Sequence, residues 1–121
     1  MASYPSFVDP ELAPLPSPHL PGFLRTAADT YSEAIAFTQC MPNGMNGSLT
    51  YRQIDELSDA FACYLRESAG VQPGDRVAVQ MPNCLSYPVV AFGVFKAGAV
   101  LVNTNPLYTP TEMIHQFSDS G

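Results

Sequence analysis

The residues best suited to chemistry in this 121-residue chain are few and widely spaced. Cys84, His115 and Asp119 could be combined into a nucleophile, base and orienting carboxylate, the histidine taking the thiol proton while the aspartate holds its ring. No local signature surrounds them, and a free cysteine is among the residues most often buried for packing. Asp55 and Asp59 stand four apart on a predicted helix and so share a face that could bind a metal. No histidine or third carboxylate is spaced to complete such a site, and the face lies away from Ile54, Leu57, Phe61 and Leu65. A solvated surface is therefore expected for it. His19 and His115 lack the cysteine or carboxylate spacing of a zinc centre. Gly93 and Gly98 fit a G-x-x-x-x-G phosphate loop, but Ala99 and Val100 stand where Lys and Ser or Thr are required. Close helix packing and a helix stop explain those glycines better. The residues alone thus assign no catalytic, cofactor-binding or metal-binding position. One segment, Asn103 to Tyr108, lies just past the end of a predicted parallel strand, where open α/β folds place ligands. The needs of a sharp strand-to-helix connection account for its Asn, Thr and Pro equally well.

Composition narrows the partners. Five Lys plus Arg face eleven Asp plus Glu, for a net charge of −6, and the cations are scattered singly. Nucleic acid is excluded as a partner, because phosphate binding requires clustered cations. Three cysteines without a Cys-x-x-Cys fit neither a disulfide framework nor a zinc knuckle. No cation precedes Arg25 and no apolar run opens the chain, so no secretory signal is expected and the cytoplasm is the default. Asn46-Gly47-Ser48 then reads as a turn rather than a glycosylation site. From Val77 to Thr111 the only charge is Lys96. A membrane-spanning helix there would carry that lysine near its centre at roughly +3 kcal/mol, with Pro88, Gly93 and Gly98 interrupting it. A buried helix followed by a buried strand is the preferred reading.

The elements follow from periodicity and punctuation. Residues 1–18 form a Pro-rich extended arm, and 19–121 form the α/β body. Leu20, Leu24, Ala27 and Tyr31 predict a helix from Leu20 to Tyr31. A candidate hairpin pairs Ala34–Cys40 with Ser48–Tyr51 across Pro42-Asn43-Gly44. Thr50 and Gln53 make a capping box, Leu49 and Ile54 a staple, and Ile54, Leu57, Phe61 and Leu65 the buried stripe of a helix closed by Gly70. A strand begins at Val77 and ends near Met81. An apolar helix capped by Asn83 or Ser86 runs to Ala97, and Ala99–Val102 forms a second strand. Thr109, Pro110 and Glu112 start a last helix that buries Met113, Ile114 and Phe117 and stops at Gly121. Strand, helix, strand, helix with apolar strands predicts a partly parallel sheet covered on both faces. The last helix requires a following strand, so the expectation is an incomplete piece of a layered α/β protein.

In combination these residues are familiar. Leu49-Thr50-Tyr51, Gly74-Asp75-Arg76-Val77-Ala78, Met81-Pro82-Asn83 and Tyr87-Pro88 form an ordered series. Phe92-Gly93, Ala97-Gly98 and Val102-Asn103-Thr104-Asn105-Pro106-Leu107-Tyr108-Thr109-Pro110 continue it. Glu112, His115-Gln116 and Asp119-Ser120-Gly121 complete it. The series, from about Leu20 to the last residue, resembles the start of AMP-forming acyl-CoA synthetases, and most closely the bacterial long-chain fatty acid–CoA ligases. The resemblance implies an enzyme that activates a fatty acid with ATP and Mg²⁺ to an acyl-adenylate and passes the acyl group to coenzyme A. The family's phosphate loop, adenine and magnesium motifs, ribose-binding Asp, hinge and catalytic Lys have no counterpart at any position here, so no catalytic residue is carried over. The fragment is expected to be inactive alone and to serve as scaffold, as a wall of the acyl or pantetheine channel or as part of a subunit contact. Its expected partners are the fatty acid of the complete enzyme, a second copy through exposed strand edges, and the inner membrane face. Two alternatives stand beside this reading: a non-enzymatic α/β module that associates with itself or another chain, and an adenylate-forming ligase for a different carboxylic acid.

Overall fold

Each helix start in the computed structural model, which describes residues 14–15 and 17–121, is set by side chains that replace missing backbone partners. The arm expected over residues 1–18 otherwise lies outside the described residues. Helix α1 (Leu20–Tyr31) begins where His19 Nδ1 accepts a hydrogen bond from the Gly22 amide at 3.0 Å. It buries Leu24 and Ala28, whereas Leu20 and Tyr31, placed by periodicity on the inner face, are exposed. Strands β1 (Ile35–Cys40) and β2 (Asn46–Thr50) pair antiparallel, with a bulge between Ile35 and Phe37. Their five-residue loop needs Gly44 at φ +81°, a left-handed conformation that glycine adopts without steric cost. The second strand starts two residues before the expected Ser48, and Tyr51 belongs to the next helix.

That helix, α2 (Tyr51–Cys63), carries the full capping box: Thr50 Oγ1 accepts from the Gln53 amide at 3.2 Å, and Gln53 Oε1 accepts from the Thr50 amide at 2.9 Å. Thr50→Ala is expected to lower unfolding stability by about 1 kcal/mol, read as a lower denaturant midpoint with unchanged slope. A π-helical turn, Tyr64–Ser68, extends α2, and Gly70 ends it at φ +71°. The buried stripe is Ile54, Asp55, Ser58 and Ala62, continued by Leu65. Leu57, expected inside, is exposed. The stripe is rotated because α2 is sandwiched between two helices, and it faces α3 more closely than its leucines suggest.

The second sheet is the parallel pair β3 (Arg76–Val79) and β4 (Val100–Asn103), in register Arg76 to Val100 through Val79 to Asn103. Between them runs α3 (Ser86–Lys96), which buries Pro88, Ala91, Gly93 and Val94. Neither Asn83 nor Ser86 caps it. Leu85 occupies the cap position, and its amide donates to Gln39 Oε1 at 3.2 Å, so the hairpin supplies the acceptor. Gly98, at φ +78°, closes α3 by the left-handed route. Ala62, Leu65, Val79, Val94, Ala97 and Ala99 form the core between α2, α3 and the sheet, with Val77 and Leu101 against it.

Helix α4 (Pro110–Ser120) has its expected capping box at Thr109 and Glu112. The Thr109 backbone N–H and hydroxyl, both donating to the Glu112 carboxylate, hold its pKa below the ordinary value. Its expected buried face is not buried. No residue of α4 is, and Ile114 stands 67% and Phe117 38% exposed, because only one edge of the helix meets the two-stranded sheet. The chain is thus α/β, with a small hairpin and a β-α-β unit. No helix among the described residues is long and apolar enough to cross a membrane.

Candidate functional site

Where adjacent parallel strands send their helices to opposite faces, the two outgoing loops part and leave a crevice at the carboxyl ends. Here α3 packs on the face of Val79, and Phe117 of α4 lies over Ala78 and Val102 on the other. The crevice that results, about 300 Å³, is bounded by Val79, Met81, Asn83, Tyr87, Asn103, Thr104, Asn105 and Tyr108. Four residues of the Asn103–Tyr108 segment singled out by position line it: Asn103, Thr104, Asn105 and Tyr108.

Hydrogen bonds shape its floor. The Thr104 amide donates to the Val79 carbonyl at 3.0 Å, carrying the ladder one step past β4. Tyr87 Oη donates to Asn103 Oδ1 at 2.8 Å, joining α3 to the end of β4. Asn105 Oδ1 accepts from the Leu107 amide at 2.9 Å, closing the turn that releases the chain toward α4. Gln116 Nε2 donates to the Asn103 carbonyl at 2.6 Å and ties α4 back to the strand. Thr104 is 4% exposed, and its hydroxyl is without a partner. A buried hydroxyl left unpaired is costly, so this group would gain from a ligand or neighbouring segment that reached it. The lining carries no charge. It suits an uncharged, hydrogen-bonding group and offers no nucleophile, base or phosphate cradle.

The other predicted groups sit elsewhere. Cys84 lines a separate cavity beside Cys40 and Pro88, while His115 and Asp119 face each other at 3.5 Å on the exposed side of α4. The structure joins the last two and leaves the cysteine apart, so no triad forms. No group of three His, Cys, Asp or Glu side chains among the described residues is placed to hold a metal. ATP and Mg²⁺ do not fit the residues present, since the β3–α3 turn lacks glycine and the crevice lacks cations.

The solvated face expected for Asp55 and Asp59 is instead a part-buried ion network, with Asp55 and Lys96 inside and Asp59 and Arg25 half-exposed. Lys96 Nζ, from α3, donates to Asp55 Oδ1 and Asp59 Oδ1, each at 2.7 Å, and to the Asp55 carbonyl at 2.8 Å. Arg25, from α1, closes the ring on Asp55 Oδ2 at 3.1 Å and Asp59 Oδ2 at 2.9 Å. The side chains of Lys96 and Asp55 are only 8% and 7% exposed. Partial burial pushes the Asp59 carboxyl up; the Lys96 hydrogen bond and charge, with Arg25 behind them, outweigh it and hold the pKa below the ordinary value. Lys96 was the available signal. A single lysine in an otherwise uncharged helix is buried with a carboxylate partner or not at all.

Residues 24–121 match the family described as AMP-binding enzyme. The long-chain-fatty-acid–CoA ligase of Yersinia pestis is 46% identical over 118 residues, covering 98% of this chain and 20% of that protein. The protein of the same name from Salmonella typhimurium is 44% identical with the same coverage. Among solved structures, the Mycobacterium tuberculosis fatty acyl CoA synthetase matches with TM-score 0.73 and 30% identity, over 84% of this chain and 20% of that one. The chain spans about a fifth of the length of the curated relatives it matches. With all four strands falling inside the matched residues, the chain belongs to the AMP-binding enzyme family.

Proposed function

We propose that the chain is the N-terminal part of a long-chain fatty acid–CoA ligase. The complete enzyme would use ATP and Mg²⁺ to make an acyl-adenylate and then transfer the acyl group to coenzyme A. The observation that carries this reading is the 46% identity over nearly the whole chain to a protein bearing that name. In this reading the described residues take no chemical step. Their part is to position: β3, α3 and β4 build an uncharged crevice suited to walling an acyl or pantetheine channel, and the ion network locks α1 and α2 to α3. A cytoplasmic protein meeting its lipid at the inner membrane face belongs to the same reading.

The test is fatty-acid-dependent ATP–pyrophosphate exchange and acyl-CoA formation by the complete protein that carries this chain, with the 121-residue polypeptide assayed beside it. Long-chain fatty acids are expected to drive both reactions in the complete protein and neither in the short chain. Exchange by the 121 residues alone would overturn the proposal, as would a complete protein that prefers aromatic or short acids.

A further inference from the structure

The β1–β2 hairpin carries two Asn-Gly pairs, Asn43-Gly44 and Asn46-Gly47, and neither lines the crevice or joins the ion network. Such a pair has a chemistry of its own. Glycine has no side chain to shield its amide nitrogen, so that nitrogen can reach the side-chain carbon of the asparagine before it. The fold sets the two pairs in opposite circumstances. Asn46 and Gly47 belong to β2, opposite Cys40 and Gln39. The Met41 amide donates to the Met45 carbonyl at 3.0 Å, so ladder alternation makes Gln39 and Gly47 the next residues to exchange N–H···O bonds. On its inner face Gly47 is pressed by the Leu85 side chain, whose Cδ1 lies 3.0 Å from where a Cβ would stand. Swinging the Gly47 nitrogen onto Asn46 would break the ladder and this packing.

Asn43 and Gly44 sit at the exposed end of the hairpin. Gly44, at φ +81°, has nothing within 4 Å of its Cβ position, and its amide is held by the Met41 carbonyl at 2.9 Å across the turn alone. The Met45 amide donates to Asn43 Oδ1 at 3.1 Å. That donor is aimed at the oxygen on which negative charge would develop if Asn43 Cγ were attacked.

We propose that Asn43 is a self-modification site, converted through a cyclic imide to aspartate and isoaspartate, while Asn46 is protected by the sheet. Solvent base removes the Gly44 amide proton, and the nitrogen attacks Asn43 Cγ. The C=O π pair moves onto Oδ1 and then returns, expelling the side-chain nitrogen, which leaves with a proton as ammonia. Water opens the resulting five-membered ring at either carbonyl, so water is the one co-reactant consumed. Both products add a negative charge to a chain already at −6. Isoaspartate also inserts a carbon into the backbone of the turn, and its exposed carboxylate suits a methyltransferase that acts on isoaspartyl carboxyls. The site is independent of the acyl substrate, so a failed ligase assay leaves it standing.

The test is peptide mapping by mass spectrometry of the complete protein, held folded in mildly alkaline buffer and, in parallel, in denaturant. In the folded protein Asn43 should convert about tenfold or more faster than Asn46, the difference being the cost of opening the ladder at Gly47. In denaturant the two should convert at similar rates. Methyl transfer from labelled S-adenosylmethionine by an isoaspartate-directed methyltransferase should mark the same hairpin peptide, and Asn43→Gln should abolish that label. Conversion of Asn46 as fast as Asn43 in the folded protein would overturn the proposal. So would a folded hairpin still unmodified when the denatured chain has converted.

Discussion

Lys96→Met is expected to destabilise the fold by on the order of 3 kcal/mol, the cost of leaving a buried carboxylate without its main partner. The lysine's three hydrogen bonds all go to Asp55 and Asp59, and Met fills much of its volume, so the loss is electrostatic rather than steric. Urea denaturation should show a lower midpoint with an unchanged slope. Adding Asp55→Leu should recover much of the loss, because a packed apolar pair replaces a buried ion pair at little cost. A loss below about 1 kcal/mol would mean that the network behaves as a surface salt bridge and that its burial has been misread. The half-exposed Asp59 contributes less, and its pH dependence has a definite sign. Its folded pKa lies below the ordinary 3.8, so its contribution is present above 3.8 and lost as pH falls through the folded value. Wild type and Asp59→Asn should therefore converge in stability only on acidification below 3.8.

Gly93→Ala is expected to destabilise even though alanine is the better helix former by about 1 kcal/mol. A Cβ at Gly93 would stand 2.6 Å from Phe61 Cδ1, 3.1 Å from Phe61 Cβ and 3.2 Å from the Ser58 carbonyl. The ring could turn, but the Ser58 carbonyl belongs to the α2 backbone, so α2 and α3 would have to separate. Overpacking of this kind costs about 1–3 kcal/mol, which offsets or exceeds the propensity gain. Gly93→Val should cost more than Gly93→Ala, and Phe61→Leu should relieve part of the alanine's cost in a double-mutant cycle. A Gly93→Ala protein more stable than the parent would show that the helices are not held at this distance.

Residues within four or five positions of each other settled the local structure. Thr50 with Gln53 and Thr109 with Glu112 announce their helix starts because each capping box is complete in four residues. Gly98 marks the end of α3 for the same reason, a backbone conformation confined to one residue. The α3 cap was not legible, because its acceptor, Gln39, lies on a hairpin strand 46 residues away. Nor was the rotation of the α2 stripe, which depends on a neighbour that the periodicity of α2 does not contain. The crevice was half legible: its place past β4 followed from strand order, but the unpartnered Thr104 hydroxyl emerged only with its burial.

The sequence by itself determined that the chain is α/β, that β3 and β4 are parallel strands, and that its ordered residues resemble one family of ligases; the strands' expected full burial is not met, since Val100 stands 50% exposed. Those properties are carried by local periodicity and by the order of elements, and neither needs a partner in space. The tertiary structure alone decided that Asp55 and Asp59 face Lys96 and Arg25 rather than water, and that α4 lies on the opposite face from α3. The first is set by helices crossing through contacts between residues 34 and 41 positions apart, the second by a helix meeting the sheet, and no pattern along a single helix encodes either.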